Sequence, residues 1–197
     1  MGPQWFTHSG AEAANFITTS CPHLGVLSLG AVARFGGGVL GLVGATFADI
    51  AHWSDALKEL SDGVAVRALQ RFHRRAIYGN YNDDLAVHVC SSLILPHAPN
   101  LPTLAPGLPE RVSPPAPPRE AGADGFGEME CVVQEIAEQL CTLSWERYVV
   151  QFPSGWWPGT AHSKICNHSL EDPENCGKEV VSHICDGFVD HQGCWLS

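Results

Sequence analysis

Apolar positions change their period several times along this chain, and each change predicts a different element. From Leu24 to Ala33 the run is apolar on every side, as a buried helix is. Beyond Gly36-Gly37-Gly38, the residues Val39, Val43, Phe47, Ile50, Leu57 and Leu60 recur every three to four positions, with Asp49, Asp55, Lys58 and Glu59 largely opposite them. That spacing predicts an amphipathic helix over 39–60, closed by Gly63. Nearer the amino terminus, Ser9 can cap a short helix over 10–17, which Cys21-Pro22 breaks.

Val64 to Leu69 fits helix or strand equally. Leu85-Ala86-Val87-His88-Val89-Cys90 alternates and contains β-branched residues, which predicts a half-buried strand. The segment between them, Tyr78 to Asp84, is dense in turn formers, so a hairpin is the simplest join. In the last third, Val132, Ile136, Leu140 and Leu143 form one stripe, predicting a helix over 128–143 with Glu135 and Glu138 exposed. Tyr148 to Phe152 reads as a strand ending at Pro153, residues 154–159 as a loop, and 178–189 as a helix.

Nine prolines between Pro96 and Pro118 forbid regular helix and favour extended polyproline conformation. The sequence therefore predicts an apolar unit over 1–95, a Pro-rich linker over 96–127 and a cysteine-rich module over 128–197. Ser113 to Arg119 also suits a ligand of polyproline-binding domains, although a spacer explains the same composition. The fold class expected is α+β: two small disulfide-stapled units, with helices packed on short antiparallel strands.

Charge and cysteine placement change the picture further. The 197 residues are 45% hydrophobic and 16% charged, too apolar for a disordered chain. A net charge of -10, with 11 basic against 21 acidic residues, provides no basic face for phosphates and argues against nucleic acid as a partner. Cys21 and Cys90 precede the prolines, while Cys131, Cys141, Cys166, Cys176, Cys185 and Cys194 follow them. Even sets on both sides suit separate disulfide frameworks in an oxidising compartment. Asn167-His168-Ser169 is a glycosylation sequon in the same region.

The first twenty residues lack Lys and Arg, so they form no ordinary basic signal region. Residues 24–47 carry only Arg34 as a charge and are long enough to cross a bilayer, which takes about 20 apolar residues. A buried segment is preferred to a membrane span or a displaced signal. Arg34 would cost about 2.5 to 3.5 kcal/mol at a bilayer centre, and cleavage near Ala45 would remove Cys21 and strand Cys90.

Chemistry-bearing constellations are few. Cys176, His183, Cys185, His191 and Cys194 could supply tetrahedral zinc, but no Cys-x-x-Cys pair occurs, so disulfides are the preferred reading. Arg71-Phe72-His73-Arg74-Arg75 offers a dibasic processing site at Arg74 and Arg75. Trp156 and Trp157 form a candidate binding patch. Glu171, Asp172, Glu174 and Glu179 read as a solvated acidic surface. No nucleophile elbow, phosphate loop or metalloprotease motif is present.

The expectation is a secreted, non-catalytic, cysteine-rich toxin, effector or extracellular ligand without a cofactor. Its partner is a membrane surface, engaged through the Gly-rich apolar segment, or an extracellular protein receptor. Intracellular zinc module and single-pass membrane-anchored protein are the alternatives.

Overall fold

The computed structural model describes residues 13–25, 59, 62–84, 87–95, 104–113, 128–153, 160–166 and 177–192, with side chains described except at 128–132 and 189–192. Four strands form one sheet: β1 (Asn15–Thr19), β2 (Arg74–Asn80), β3 (Glu110–Val112) and β4 (Glu146–Val150). Their order is β1-β2-β4-β3. β1 runs parallel to β2 with Asn15 opposite Arg74, β2 runs parallel to β4 with Ala76 opposite Glu146, and β3 closes the sheet antiparallel to β4.

Five described helices cover both faces: α1 (Gly63–Gln70), α2 (Val89–Leu93), α3 (Glu128–Cys141), α4 (Ala161–Lys164) and α5 (Gly177–Gln192). Strand side chains alternate between faces, so neighbouring residues of one strand enter different cores. Ile77 and Val149 join Val66 of α1, Val89 and Leu93 of α2, and Ile136, Ala137 and Leu140 of α3. Ala76, Tyr78, Tyr148 and Val150 join Ala161 of α4 and Val180 of α5 on the opposite face. Burial on both faces explains why β2 and β4 read as nearly continuous buried runs, the pattern of an inner parallel strand.

The mixed α/β composition expected from the sequence is present, but its arrangement differs. Three strands are parallel instead of antiparallel, and β2 is followed by a helix where a hairpin was expected. The sheet draws on all three predicted segments: β2 from 1–95 pairs with β4 from 128–197. The described part of the Pro-rich stretch, 104–113, buries Leu104, ties Gly107 N–H to the Gln151 carbonyl at 2.7 Å and supplies β3. Its prolines flank a three-residue edge strand, the place where a missing donor is tolerated.

Local chemistry explains other departures. Residues 15–17, expected to end a helix, instead open the strand run Asn-Phe-Ile-Thr-Thr, which pairs along β2. The strand expected over 85–90 ends instead in a helix start, because the His88 ring accepts from Cys90 N–H as an N-cap and its carbonyl receives Ser91 N–H. Gly63 opens α1 behind the Asp62 cap. The helix predicted over 39–60 lies outside the described residues apart from Glu59.

Close packing of α2 on β2 depends on one small residue. A Cβ at Gly79 would stand 2.8 Å from Ser92 Cβ and 3.0 Å from Leu93 Cγ, both buried residues of α2. The backbone approach that seats α2 leaves no room for any side chain there.

Candidate functional site

Because β1, β2 and β4 point the same way, their carboxyl ends share one edge, the usual ligand-binding edge of a parallel sheet. Ser20 follows β1 there, Asn80 ends β2, and the 81–84 turn follows it. α4 lies over this edge on the Tyr78 face and brings His162 and Cys166 to it.

Ser20 anchors the end of β1 by donating its N–H to the Tyr78 carbonyl at 2.8 Å. Asn80, itself buried, donates its amide to Ser20 Oγ at 2.8 Å and to Asp84 Oδ2 at 2.7 Å. The other Asp84 oxygen accepts Val87 N–H at 2.9 Å. His162 Nδ1 then reaches Asp84 Oδ2 at 3.1 Å, across 78 positions of sequence. Beside it, the Cys166 thiol meets the Thr19 hydroxyl at 3.1 Å.

The two partners of the dyad differ sharply in environment: the Asp84 side chain is 2% exposed and that of His162 46%. Burial alone would raise the Asp84 pKa, but hydrogen bonds from His162, Asn80 and Val87 outweigh it and hold the carboxyl below its ordinary value. The hydrogen bond to Asp84 holds the imidazole above its own ordinary value against partial burial. With Nδ1 committed to the carboxylate, Nε2 is the ring nitrogen left to exchange a proton with a ligand.

A second polar cluster sits at the opposite edge. Arg74 Nε and Nη2 both reach Glu146 Oε2, at 3.0 and 2.9 Å, and Tyr148 OH donates to the same oxygen at 3.2 Å. The Tyr78 and Tyr148 rings stack at 4.9 Å, and Tyr78 OH bonds His183 Nδ1 at 2.8 Å. These groups fill the interior between β2, β4 and α5, so they fasten that face together.

Comparison of the chain with protein-family models, curated proteins and solved structures finds no match to any of them. The functional reading therefore rests on the geometry alone.

The residues singled out from sequence are dispersed. Cys21, Cys90, Cys141, Cys166 and Cys185 carry free thiols, and neither Cys176, Cys194 nor the side chain of Cys131 lies among the described residues. The Cys141 thiol instead lies 3.6 Å from the buried Arg147 guanidinium. Of the alternative zinc set, His183 is engaged by Tyr78 and Cys185 is exposed, while Cys176, Cys194 and the His191 side chain lie outside the described residues. Among the described residues, no three His, Cys, Asp or Glu side chains gather as a metal cluster.

Arg74 and Arg75 are residues of β2, not of an open loop. Arg74 is buried, and the Arg75 guanidinium donates to the carbonyls of Leu69, Phe72 and Ser144. A processing protease would have to strip β2 from its neighbours to reach them. Trp156, Trp157 and Asn167 lie outside the described residues, as does 26–47 of the apolar segment. Leu24, at the start of that segment, is buried in the core, and no described helix is long and apolar enough to cross a membrane.

Sequence reasoning missed both members of the dyad. Asp84 stood out only as one of several turn formers, and His162 carried no signal at all. Their meeting depends on strand order, which no local pattern encodes.

Proposed function

We propose that this chain is a small α/β enzyme whose chemistry is proton transfer, most simply hydrolysis, on a polar ligand bound at the carboxyl edge of the sheet. His162 is the general base, acting through Nε2, and Asp84 is its orienting carboxylate. The observation that carries the reading is the buried Asp84 carboxylate 3.1 Å from Nδ1 of a half-exposed imidazole, at the edge where parallel sheets bind ligands. The Asn80 amide and Val87 N–H fix the carboxylate from behind, so the imidazole is held in one tautomer.

The test pairs a titration with an activity screen against ester, amide, phosphate and glycoside substrates. The His162 resonance titrates above its ordinary value, and Asp84→Asn moves it down, because the neutral amide no longer favours the imidazolium. Turnover needs unprotonated Nε2, so it rises with pH through that raised value. His162→Gln lowers it by about 10²-fold or more. Activity on none of these substrates, or activity indifferent to His162→Gln, defeats the proposal.

The disulfide-held extracellular ligand is a separate proposal that stands on the count of eight cysteines. Its measurement is intact mass: reduction of a fully bridged chain adds one hydrogen for each of the eight sulfurs, and an unchanged mass removes the proposal.

A further inference from the structure

The turn that carries Asp84 has a second feature, which the acid–base reading does not use. Asn80 is 1% exposed, and its amide nitrogen is committed to Ser20 Oγ and Asp84 Oδ2. A carboxylate only accepts, so that contact fixes which end of the amide is nitrogen. The opposite end, Oδ1, is then a buried oxygen that receives no donor among the described residues. Asn82 Oδ1 and Asp83 Oδ2 are buried and without a donor in the same way.

Three of the four side chains at 80–83 thus present acceptor oxygens, one of them from a carboxylate, that no donor answers among the described residues. Each such oxygen ordinarily costs about 1 to 3 kcal/mol when left unmet in an interior. Nearby acceptors are met: Asp84 Oδ1 takes Val87 N–H, and Ser20 Oγ takes the Asn80 amide. Among the described residues, three of the four buried side-chain oxygens without a donor belong to Asn80, Asn82 and Asp83; the fourth is Asn15 Oδ1, at the start of β1.

Amide and carboxylate oxygens without sulfur or imidazole are the donors of a hard cation. Calcium accepts such a set more readily than magnesium, because it tolerates irregular geometry and neutral oxygen ligands, whereas magnesium demands a near-octahedral shell. We propose that the 80–83 segment, at the carboxyl end of β2, is a calcium site formed by Asn80, Asn82 and Asp83, completed by backbone carbonyls and water. With a single carboxylate its affinity is modest, with Kd on the order of 10⁻⁴ to 10⁻³ M. The site goes beyond the proton-transfer reading and stands whether or not His162 acts on a ligand.

Terbium in place of calcium tests this on the full-length protein, because Tyr81 lies between two of the ligands and can sensitise its emission. The expected result is tyrosine-sensitised emission that calcium competes away. Asp83→Asn weakens terbium binding by about tenfold or more, since it removes the one charge among the ligands. Asn suits the left-handed backbone at that position, where φ is 56°, so the near-UV circular dichroism stays unchanged. Asn82→Asp adds a charge and tightens binding by about tenfold, a gain that no unfolded variant can imitate. His162→Gln leaves the emission in place, separating this site from the dyad. Absence of calcium-competed emission, or equal affinity in wild type, Asp83→Asn and Asn82→Asp, overturns the proposal and assigns the three oxygens to ordered water.

Discussion

Replacing Glu146 with alanine destabilises the fold by about 3 kcal/mol, near the lower end of the cost of stripping one partner from a buried ion pair. Arg74 has a side chain only 6% exposed, and Glu146 is its ion-pair partner at 2.9 Å. Among the described residues Nη1 has no hydrogen-bond acceptor, and Nε and Nη2 both bond Glu146 Oε2. Glu146 itself is 27% exposed, and this access to water moderates the loss. The guanidinium has little freedom to retreat, because α5 crosses it at Gly187, where even a Cβ would collide with it.

Urea unfolding measures the effect as a drop in midpoint at constant slope. The double variant Glu146→Ala with Arg74→Met recovers most of the loss, since an apolar side chain of similar length leaves no charge behind. If the double variant unfolds as readily as Glu146→Ala alone, the stranded guanidinium is not the cause.

Acid lowers stability between about pH 6.5 and pH 4 through His23, by about 3 kcal/mol. Burial pushes its pKa down to about 4. Its ring lies against Trp145 at 6.2 Å, and Nε2 meets the Thr18 hydroxyl at 2.8 Å. Above the unfolded-state value near 6.5 both states are neutral, and the full stability is present. As pH falls towards 4, the unfolded chain takes up a proton that the folded chain refuses, so stability is lost across that window.

His183, also lowered by burial and by the Arg74 charge, adds to the same slope. His162 acts in the opposite sense: its raised value stabilises the fold at low pH, and this contribution is lost as pH rises through it. The comparison that isolates His23 is His23→Gln, which keeps a polar contact for Thr18 but cannot titrate. The difference between variant and wild type should flatten by about 3 kcal/mol from pH 7 to pH 4 in denaturant unfolding. Parallel pH profiles would remove His23 from the account.

Several elements were legible because their signals are local. Ile136 and Leu140 are on the buried side of α3, with Leu143 buried just beyond its end, and the β-branched run at 149–150 lies in β4. Other segments misled for identifiable reasons. Val87-His88-Val89 has the alternation of a strand, yet a histidine cap and a left-handed stop at Ile94 enclose a single helical turn. Helix-favouring residues at 11–14 masked a strand beginning at Asn15, whose conformation is settled by its partner β2. The prolines at 96–118 announced a boundary because composition does not reveal that 110–112 finds a partner in β4.

The candidate site was the least legible part, since Ser20, Asn80, Asp84 and His162 come from three distant stretches. The cysteines, in contrast, dominated the sequence reading by count. Side-chain neighbours such as Thr19 for Cys166 and Arg147 for Cys141 become visible only in three dimensions.

The central ladder also dictates an order of events during synthesis. Asn15 must find Arg74, and Ala76 must wait for Glu146, so β2 leaves the ribosome long before its second neighbour exists. Until then, the nascent chain presents a two-stranded ribbon with one unpaired edge, a surface prone to wrong associations. Loop closure over such distances makes acquisition of the native state slow compared with helical proteins of similar size. The pace of translation through the proline-rich stretch thus sets how long that ribbon stays open.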